Sequence, residues 1–447
     1  MNTRDYRFQL AILSIGNVAN GMLVAEIYPF SSMMIMDFGL VDDRSKTGYY
    51  AGFLGAAFMV GRGISSPFWG HAMDKYGRKP TLSVALFCIT VGTLLFGLSP
   101  NYAWALVSRL VTGLFAPIPA VCKTAVSELS PPDKTKFSMS VFTIGWSVGL
   151  VLGSGVGGVL AHPENLGIAT SGIFVDYPYL LPNFVIALMS FLDLVLVVLY
   201  FQETLHESDR QSPASQGDMA SLLGEESIRQ VLIIYSIQSI NQTLYAEILP
   251  LWCWSSVENG GLNFDPHEIG LLLTAAYLIV IVFSQGLYEK LANANGLRWI
   301  VTCSSVISAP IVILLPFVNL IVEYKLLTWV VLVSVCTFYS YLNYQIFNAQ
   351  FLLLNNTVER ARRGRVNGIG MSIGSISKAV GPFIGGPLFA LTSTEGFLYP
   401  FDYTFTFNLL ACGFGAQYWV TKKLPAALED NPDSPGYTRI PSDETEL

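Results

Sequence analysis

The 447-residue chain is 52% hydrophobic and only 13% charged, with a mean hydropathy of +0.49; a soluble domain carries roughly one quarter charged residues, so the composition excludes an ordinary soluble fold and points to a bilayer. Net charge is −7, but the basic residues fall in short clusters between apolar runs, leaving no basic face to track a phosphate backbone, and nucleic acid is excluded as a partner. The six cysteines show no CxxC spacing and the four histidines are scattered, so neither a disulfide framework nor a metal site is expected.

A polar lead with Arg4 and Arg7 is followed by apolar sequence over 8–36, too long for the core of a cleaved signal and without a small-residue cleavage site. A membrane helix needs ~20 mainly apolar residues, and stretches of that kind recur near 49–69, 80–98, 102–127, 137–161, 179–201, 228–254, 268–291, 298–322, 326–354, 365–391 and 402–421. The expectation is an all-α membrane protein of twelve transmembrane helices in two pseudo-symmetric six-helix bundles. Residues 1–201 form the first bundle, 202–227 a polar central loop, 228–421 the second bundle, and 422–447 a disordered acidic tail. With the N-terminus cytoplasmic, eighteen Lys and Arg lie on that side and three (Arg44, Lys46, Lys325) opposite, so both termini are expected in the cytoplasm.

Two internal echoes support the division. Asn20, Leu23, Ala25, Glu26, Ile27 and Pro29 of the first span recur in type at Asn241, Leu244, Ala246, Glu247, Ile248 and Pro250, always 221 positions later. Gly153, Gly157 and Gly158 of the fifth span are answered 228 positions later by Gly381, Gly385 and Gly386. Such parallel repeats place a solute site at their interface near mid-membrane.

After the second span the chain reads Gly70, then Asp74-Lys75-Tyr76-Gly77-Arg78-Lys79-Pro80. A carboxylate and paired bases on a tight turn can form a latch, closed in one state and open in another, or can be a plain positive-inside cluster. This stretch resembles the signature loop of the major facilitator superfamily. With Gly61-Arg62, Trp69-Gly70, Tyr50-Ala51-Gly52-Phe53, Pro117-Ile118, Pro178-Tyr179-Leu180-Leu181-Pro182, Glu203-Thr204-Leu205-His206, Gly260-Gly261-Leu262 and Asn367-Gly368, the chain resembles the zinc-induced facilitator-like branch and its fungal and protist relatives. The cysteine pair and histidine-rich loop of the plant members are missing, so zinc handling has no ligand cluster behind it. The resemblance implies a proton-linked carrier of small organic anions, chelators, cations or drug-like molecules, needing no cofactor beyond a proton gradient.

Charges inside a bilayer are costly, and each is a functional candidate. Glu26 and Glu247 each precede a proline by three positions, beside backbone that must find other partners. Buried carboxylates suit the binding and release of a coupling proton, or they tie helices together. Arg109 opens Arg109-Leu110-Val111-Thr112-Gly113, which resembles the superfamily's fourth-span arginine motif; it can equally snorkel to the membrane edge. Asp193 completes the coupling candidates. Lys123 and Lys378 can attract an anionic group on a substrate or serve in packing ion pairs.

A central cavity is expected between the first, fourth, seventh and tenth spans, with Asn20, Asn241, Tyr245, Lys123, Tyr341, Tyr344, Gln345 and Lys378 in its wall. Gly149, Gly153, Gly157 and Gly158 line one face of the fifth span and allow close helix approach. They resemble the superfamily's antiporter motif, except that Ser154 stands at the usual proline and the proline appears at Pro382.

No nucleophile and base arrangement suggests an enzyme. A monomeric secondary transporter is expected, and a non-transporting nutrient sensor or membrane scaffold of the same fold is the alternative. In the tail, Gly436-Tyr437-Thr438-Arg439-Ile440 fits a tyrosine-based sorting signal, read by an adaptor over Tyr437–Ile440, for a vacuolar or lysosomal membrane; the plasma membrane is the other expected residence.

Overall fold

The computed structural model describes residues 3–131, 134–167, 171–205, 219–358 and 363–429. The proposed sorting segment and His206 lie outside these residues.

Fourteen long helices carry the fold: α1 (Thr3–Ala25), α2 (Ile27–Asp37), α3 (Gly48–Tyr76), α4 (Arg78–Gly97), α5 (Tyr102–Leu114), α6 (Ile118–Leu129), α7 (Thr135–Leu160), α8 (Leu180–Tyr200), α9 (Glu226–Trp254), α10 (Pro266–Asn295), α11 (Leu297–Leu314), α12 (Lys325–Asn356), α13 (Arg363–Thr394) and α14 (Phe405–Lys422). No strand occurs among the described residues. Because α1 runs into α2 and α5 into α6, the fourteen helices make twelve rods, each at a predicted span. Among the described residues seven rods are long and apolar enough, by length and composition, to cross a membrane.

The two broken rods have local causes. Pro29 lacks the N–H that would bond the Ala25 carbonyl, and α1 ends at Ala25, with Glu26 at the junction. Pro117 and Pro119 do the same between α5 and α6. Pro250 stands inside α9 without breaking it.

Each bundle has its own apolar core. Leu13, Phe58, Leu86, Val121 and Ile186 pack together in the first, and Ile234, Ile248, Leu272, Val301, Leu332 and Phe414 in the second. The chain continues past α14 as a folded turn at Ala426–Glu429. There Leu428 is fully buried and its carbonyl accepts from Asn356 Nδ2 at 3.0 Å. The expected tail therefore begins later than residue 422, because these residues close the base of the second bundle.

The glycine echo has a physical meaning in three dimensions. A Cβ on Gly149, Gly153 or Gly157 would lie 2.3, 2.6 and 2.1 Å from the backbone oxygens of Val18, Met22 and Glu26 on α1 and its junction. Gly158, one residue on, faces the other bundle, where a Cβ would lie 2.7 Å from Gly270 Cα. In the second bundle Gly381 and Gly385 pack on α9, at 2.5 Å from Leu244 N and 2.3 Å from Leu244 Cδ1, and Gly386 turns to the first bundle at 2.7 Å from Gly48 O. Each pair thus holds its own bundle with one glycine and its partner bundle with the next.

With an even number of alternating rods, the start of α1 and the end of α14 lie on one face of the array. On the opposite face the bundles are joined by polar contacts. Arg44 Nη1 donates to Asn263 Oδ1 at 3.0 Å, Arg44 pairs with Asp265 at 3.5 Å and stacks 4.0 Å from the Trp254 ring, and Asn259 Nδ2 donates to Ser45 at 2.9 Å. Toward the other face, a Cβ at Gly70 or Gly368 would meet nothing within 4 Å.

Candidate functional site between the bundles

Glu26 is fully buried, and among the described residues neither carboxylate oxygen has a hydrogen-bond partner. Its position follows from the break at the α1–α2 junction, and its backbone is clamped by Gly157. Glu247, buried on unbroken α9, reaches across to the first bundle, where a Cβ on Gly55 of α3 would lie 2.8 Å from its Oε2. Gly55 leaves room for a carboxylate that a side chain would exclude.

Arg109 is the charge that both carboxylates feel. Its Nη1 donates to the Leu23 carbonyl at 3.3 Å, and the guanidinium lies 4.8 Å from the Phe58 ring and 5.3 Å from Phe96. The aromatic faces hold a cation without neutralising it, so Arg109 is placed to serve either acid. It is buried within the first bundle beside Leu23.

Other cations gather along the same boundary. Arg62 Nη2 donates to Asn20 Oδ1 at 2.6 Å and its guanidinium lies 4.6 Å from Phe58. Lys378 of α13 interacts electrostatically with Arg62, where Gly63 of α3 abuts Ile376 at 3.1 Å for a Cβ. Lys123 of α6 sits 3.3 Å from the centroid of the Phe351 ring on α12, a contact between bundles. Among the described residues none of these three cations has a carboxylate in ion-pair contact.

Five other expected residues face elsewhere. Asp193 is buried within the first bundle, its Oδ2 2.8 Å from a Cβ on Gly16 and beside Cys122, so it does not share the boundary with Glu26 and Glu247. Asn241 packs on α14, with Oδ1 2.1 Å from a Cβ on Gly413. Tyr245 stacks on Tyr339 with centroids 3.9 Å apart inside the second bundle's core. Tyr341 and Gln345 line a groove between α10, α11 and α12. These four are therefore corrected from cavity wall to packing or groove positions. Tyr344 is half-buried and neighbours Tyr288 of α10.

The loop after α3 is a charged knot. Arg78 is buried, pairs with Asp74 at 3.3 Å and with Glu128 at 2.8 Å, and donates to the Met73 carbonyl at 2.7 Å. Glu203, just past α8, accepts from the first backbone N–H groups of α4, Arg78 N at 2.9 Å and Lys79 N at 3.1 Å, where the helix dipole favours an anion. Gly77, at φ 106°, leaves space for that carboxylate: a Cβ would lie 2.2 Å from Glu203 Oε2. Gly70 has open space around it and takes no part in the knot.

The second bundle repeats half of this design. Glu429 accepts from Leu297 N at 2.5 Å and Arg298 N at 2.9 Å at the start of α11, beside Gly296 at φ 86°. Reading the sequence missed Glu128, Glu203 and Glu429 as functional residues. A signal was present: Gly296 follows Gly77 by 219 positions and Glu429 follows Glu203 by 226, close to the offsets of the other echoes.

Comparison with known proteins agrees with this architecture. The Major Facilitator Superfamily profile matches residues 13–258 and again 231–442. A probable peptide/nitrate transporter of Arabidopsis thaliana is 30% identical over 85% of this chain and 83% of its own. The zinc induced facilitator 1 protein of Arabidopsis thaliana is 29% identical over 87% and 85%. Among solved structures, a D-xylose-proton symporter superposes with a TM-score of 0.74 at 15% identity, covering 94% of this chain and 98% of that one, a likeness of fold. Twelve helical rods in two bundles, an internal repeat and these relatives lead to one conclusion: the chain is an integral membrane transporter, not an enzyme, and belongs to the Major Facilitator Superfamily.

Proposed function

We propose that the protein is a proton-coupled carrier of small organic anions, working as an antiporter by alternating access between its bundles. The observation that carries the reading is the charge distribution at the boundary. Two buried acids, one from each bundle, interact with Arg109, while Arg62, Lys378 and Lys123 have no carboxylate partner among the described residues. Unpaired cations at membrane depth are expensive, and an anionic solute bound between the bundles offsets that cost.

Arg109 and Glu26 belong to the same bundle, so rocking leaves their separation unchanged. Glu247 belongs to the other bundle. Each rocking motion changes its distance from Arg109, and with it the stability of the carboxylate, so Glu247 takes up a proton in one state and releases it in the other. Glu26 supplies Arg109 with a counter-charge that does not change between the states. The polar contacts at Arg44, Ser45 and Asn259 close the face away from the termini, which under this reading is the extracytoplasmic one.

In the same reading both termini are cytoplasmic, the protein acts as a monomer, and the Tyr437–Ile440 segment directs it to a vacuolar or lysosomal membrane, the plasma membrane being the other residence. The test is flux into proteoliposomes holding the purified chain, with radiolabelled mono-, di- and tricarboxylates under an imposed pH gradient. Gradient-driven anion uptake, lost in Glu247→Gln, supports the proposal. Uptake confined to cationic solutes, or indifferent to the gradient, overturns it.

A further inference from the structure

A cavity of about 240 Å³ lies between α10, α11 and α12, away from the boundary of the bundles. Its rim is made by apolar side chains turned outward, among them Trp299 and Phe338, 43% and 47% exposed. In a membrane-spanning bundle that outward face meets lipid. Its floor is different. Gln345 is 1% exposed, and among the described residues neither its amide oxygen nor its amide nitrogen has a partner in hydrogen-bond geometry. The Tyr341 hydroxyl is also buried, pointing toward that amide without reaching hydrogen-bond geometry.

A primary amide left unpaired in an apolar setting costs several kcal/mol, and this one lies where a visitor from the bilayer can reach it. Gln345 is eleven residues from the end of α12 at Asn356, or ~16 Å along the helix at 1.5 Å per residue. α12 is 32 residues long, ~48 Å, so with its middle at the midplane Gln345 lies ~7 Å from it, inside a hydrocarbon core ~30 Å thick. A phospholipid headgroup is held at the interface and does not reach it. An acyl chain reaches it but brings nothing to bond.

Among the described residues no charged side chain lines the cavity, so a charged visitor would be as unsatisfied as the glutamine. The volume is below the ~300 Å³ at which drug-sized pockets begin. It therefore accommodates the polar end of a molecule whose remainder stays in lipid.

We propose that this groove is a binding site for an uncharged amphipathic molecule dissolved in the bilayer, an amide- or hydroxyl-bearing hydrocarbon whose polar group is received by Gln345 and Tyr341. The site is separate from the boundary between the bundles and does not depend on the transport reading.

The test uses the full chain in lipid nanodiscs and a long-chain primary amide carrying a diazirine next to its polar end, with the matching diazirine alkane as the comparator. After irradiation, adducts are mapped by mass spectrometry. The amide probe is expected to label residues 297–307 and 338–345 saturably, competed by the same amide without diazirine, whereas the alkane labels the whole lipid-facing surface without saturation. Gln345→Leu is expected to lower the saturable labelling about tenfold, the order of one lost hydrogen bond. Tyr341→Phe, which keeps the ring and its packing, is expected to lower it severalfold, and both variants are assayed only as monodisperse protein. Labelling that does not saturate, is equal for the alkane, or persists in both variants overturns the proposal and leaves a groove filled by lipid chains. Equal competition by the corresponding long-chain carboxylate also overturns it.

Discussion

The two bundles repeat one design but use its charges differently. In the first, the acid beside the seam sits at a helix break and lies with Arg109 in the same body; in the second, Glu247 sits on a continuous helix and reaches across to Gly55. At the terminal face the first bundle builds a full knot of Asp74, Arg78, Glu128 and Glu203, whereas among its described residues the second shows the helix-capping carboxylate, Glu429, without the rest. The difference teaches that pseudo-symmetry conserves packing more strictly than chemistry. The glycine pairs and helix caps are shared, and the ionisable groups able to sense a state are not.

The largest expected effect separates the two acids. Glu247→Gln should reduce gradient-driven flux on the order of a hundredfold, the factor that ~3 kcal/mol of coupling energy carries, while leaving gradient-independent exchange. Glu26→Gln should reduce both modes together, by about tenfold, since it removes the constant counter-charge near Arg109 without removing the state-dependent acid. Proteoliposome flux with and without a pH gradient checks this, and equal losses in both variants would break the asymmetry.

The charged knot comes next. Arg78→Ala removes a buried cation from two carboxylates and the Met73 carbonyl and should cost ~3 kcal/mol. Glu429→Gln removes one anion from a helix N-terminus and should cost ~1 kcal/mol. Thermal unfolding in detergent ranks them, and a Glu429→Gln loss as large as that of Arg78→Ala would mean that the second bundle depends on its cap as heavily as the first on its knot.

Within each glycine pair the two members are also separable. Gly157→Ala and Gly385→Ala overpack a single bundle and should cost ~1–3 kcal/mol. Gly158→Ala and Gly386→Ala press on the other bundle, so their main expected effect is to part the bundles at the face away from the termini. In a cysteine-free background bearing Asn259→Cys, maleimide labelling should accelerate severalfold for the second pair and not for the first.

Much of this was legible in the chain. Apolar length located the twelve spans, fixed offsets paired Glu26 with Glu247 and the two sets of glycines, and the cost of intramembrane charge marked Arg109, Lys123 and Lys378. What the sequence did not show was direction. Polar and aromatic residues surround α12 on several sides, so no single stripe told that Tyr339 and Asn343 turn to α9 while Tyr341 and Gln345 turn to α11. Asn241 echoes Asn20 in position, yet Gly413 gives it a seat on α14 and Asn20 has Arg62 instead. Glu203 and Glu429 cap helices more than a hundred residues away in the chain, and spacing along one segment carries no trace of such a contact.

The smallest effect concerns a feature that only the first bundle has. His162, at φ 55° after α7, joins three elements: Nε2 lies 2.7 Å from Asp37 at the end of α2, Nδ1 lies 2.7 Å from Glu164 in the following turn, and the Tyr179 hydroxyl before α8 also donates to Asp37. The position 228 residues later is Ala390, which cannot repeat the tie. Burial works against the imidazolium, but the two carboxylates outweigh it and hold the His162 pKa above its ordinary value. A raised folded-state pKa means that the tie contributes fully below the ordinary histidine value, ~6.5, and fades as pH rises through the higher folded value. His162→Gln should therefore cost ~1 kcal/mol at pH 5.5, given charge-assisted bonds partly screened by solvent, and only a few tenths at pH 9. Melting curves of both proteins across that range should converge as pH rises; a gap that stays constant would show that the imidazole acts there as a neutral spacer, and the first bundle would lose its one pH-dependent distinction on that face.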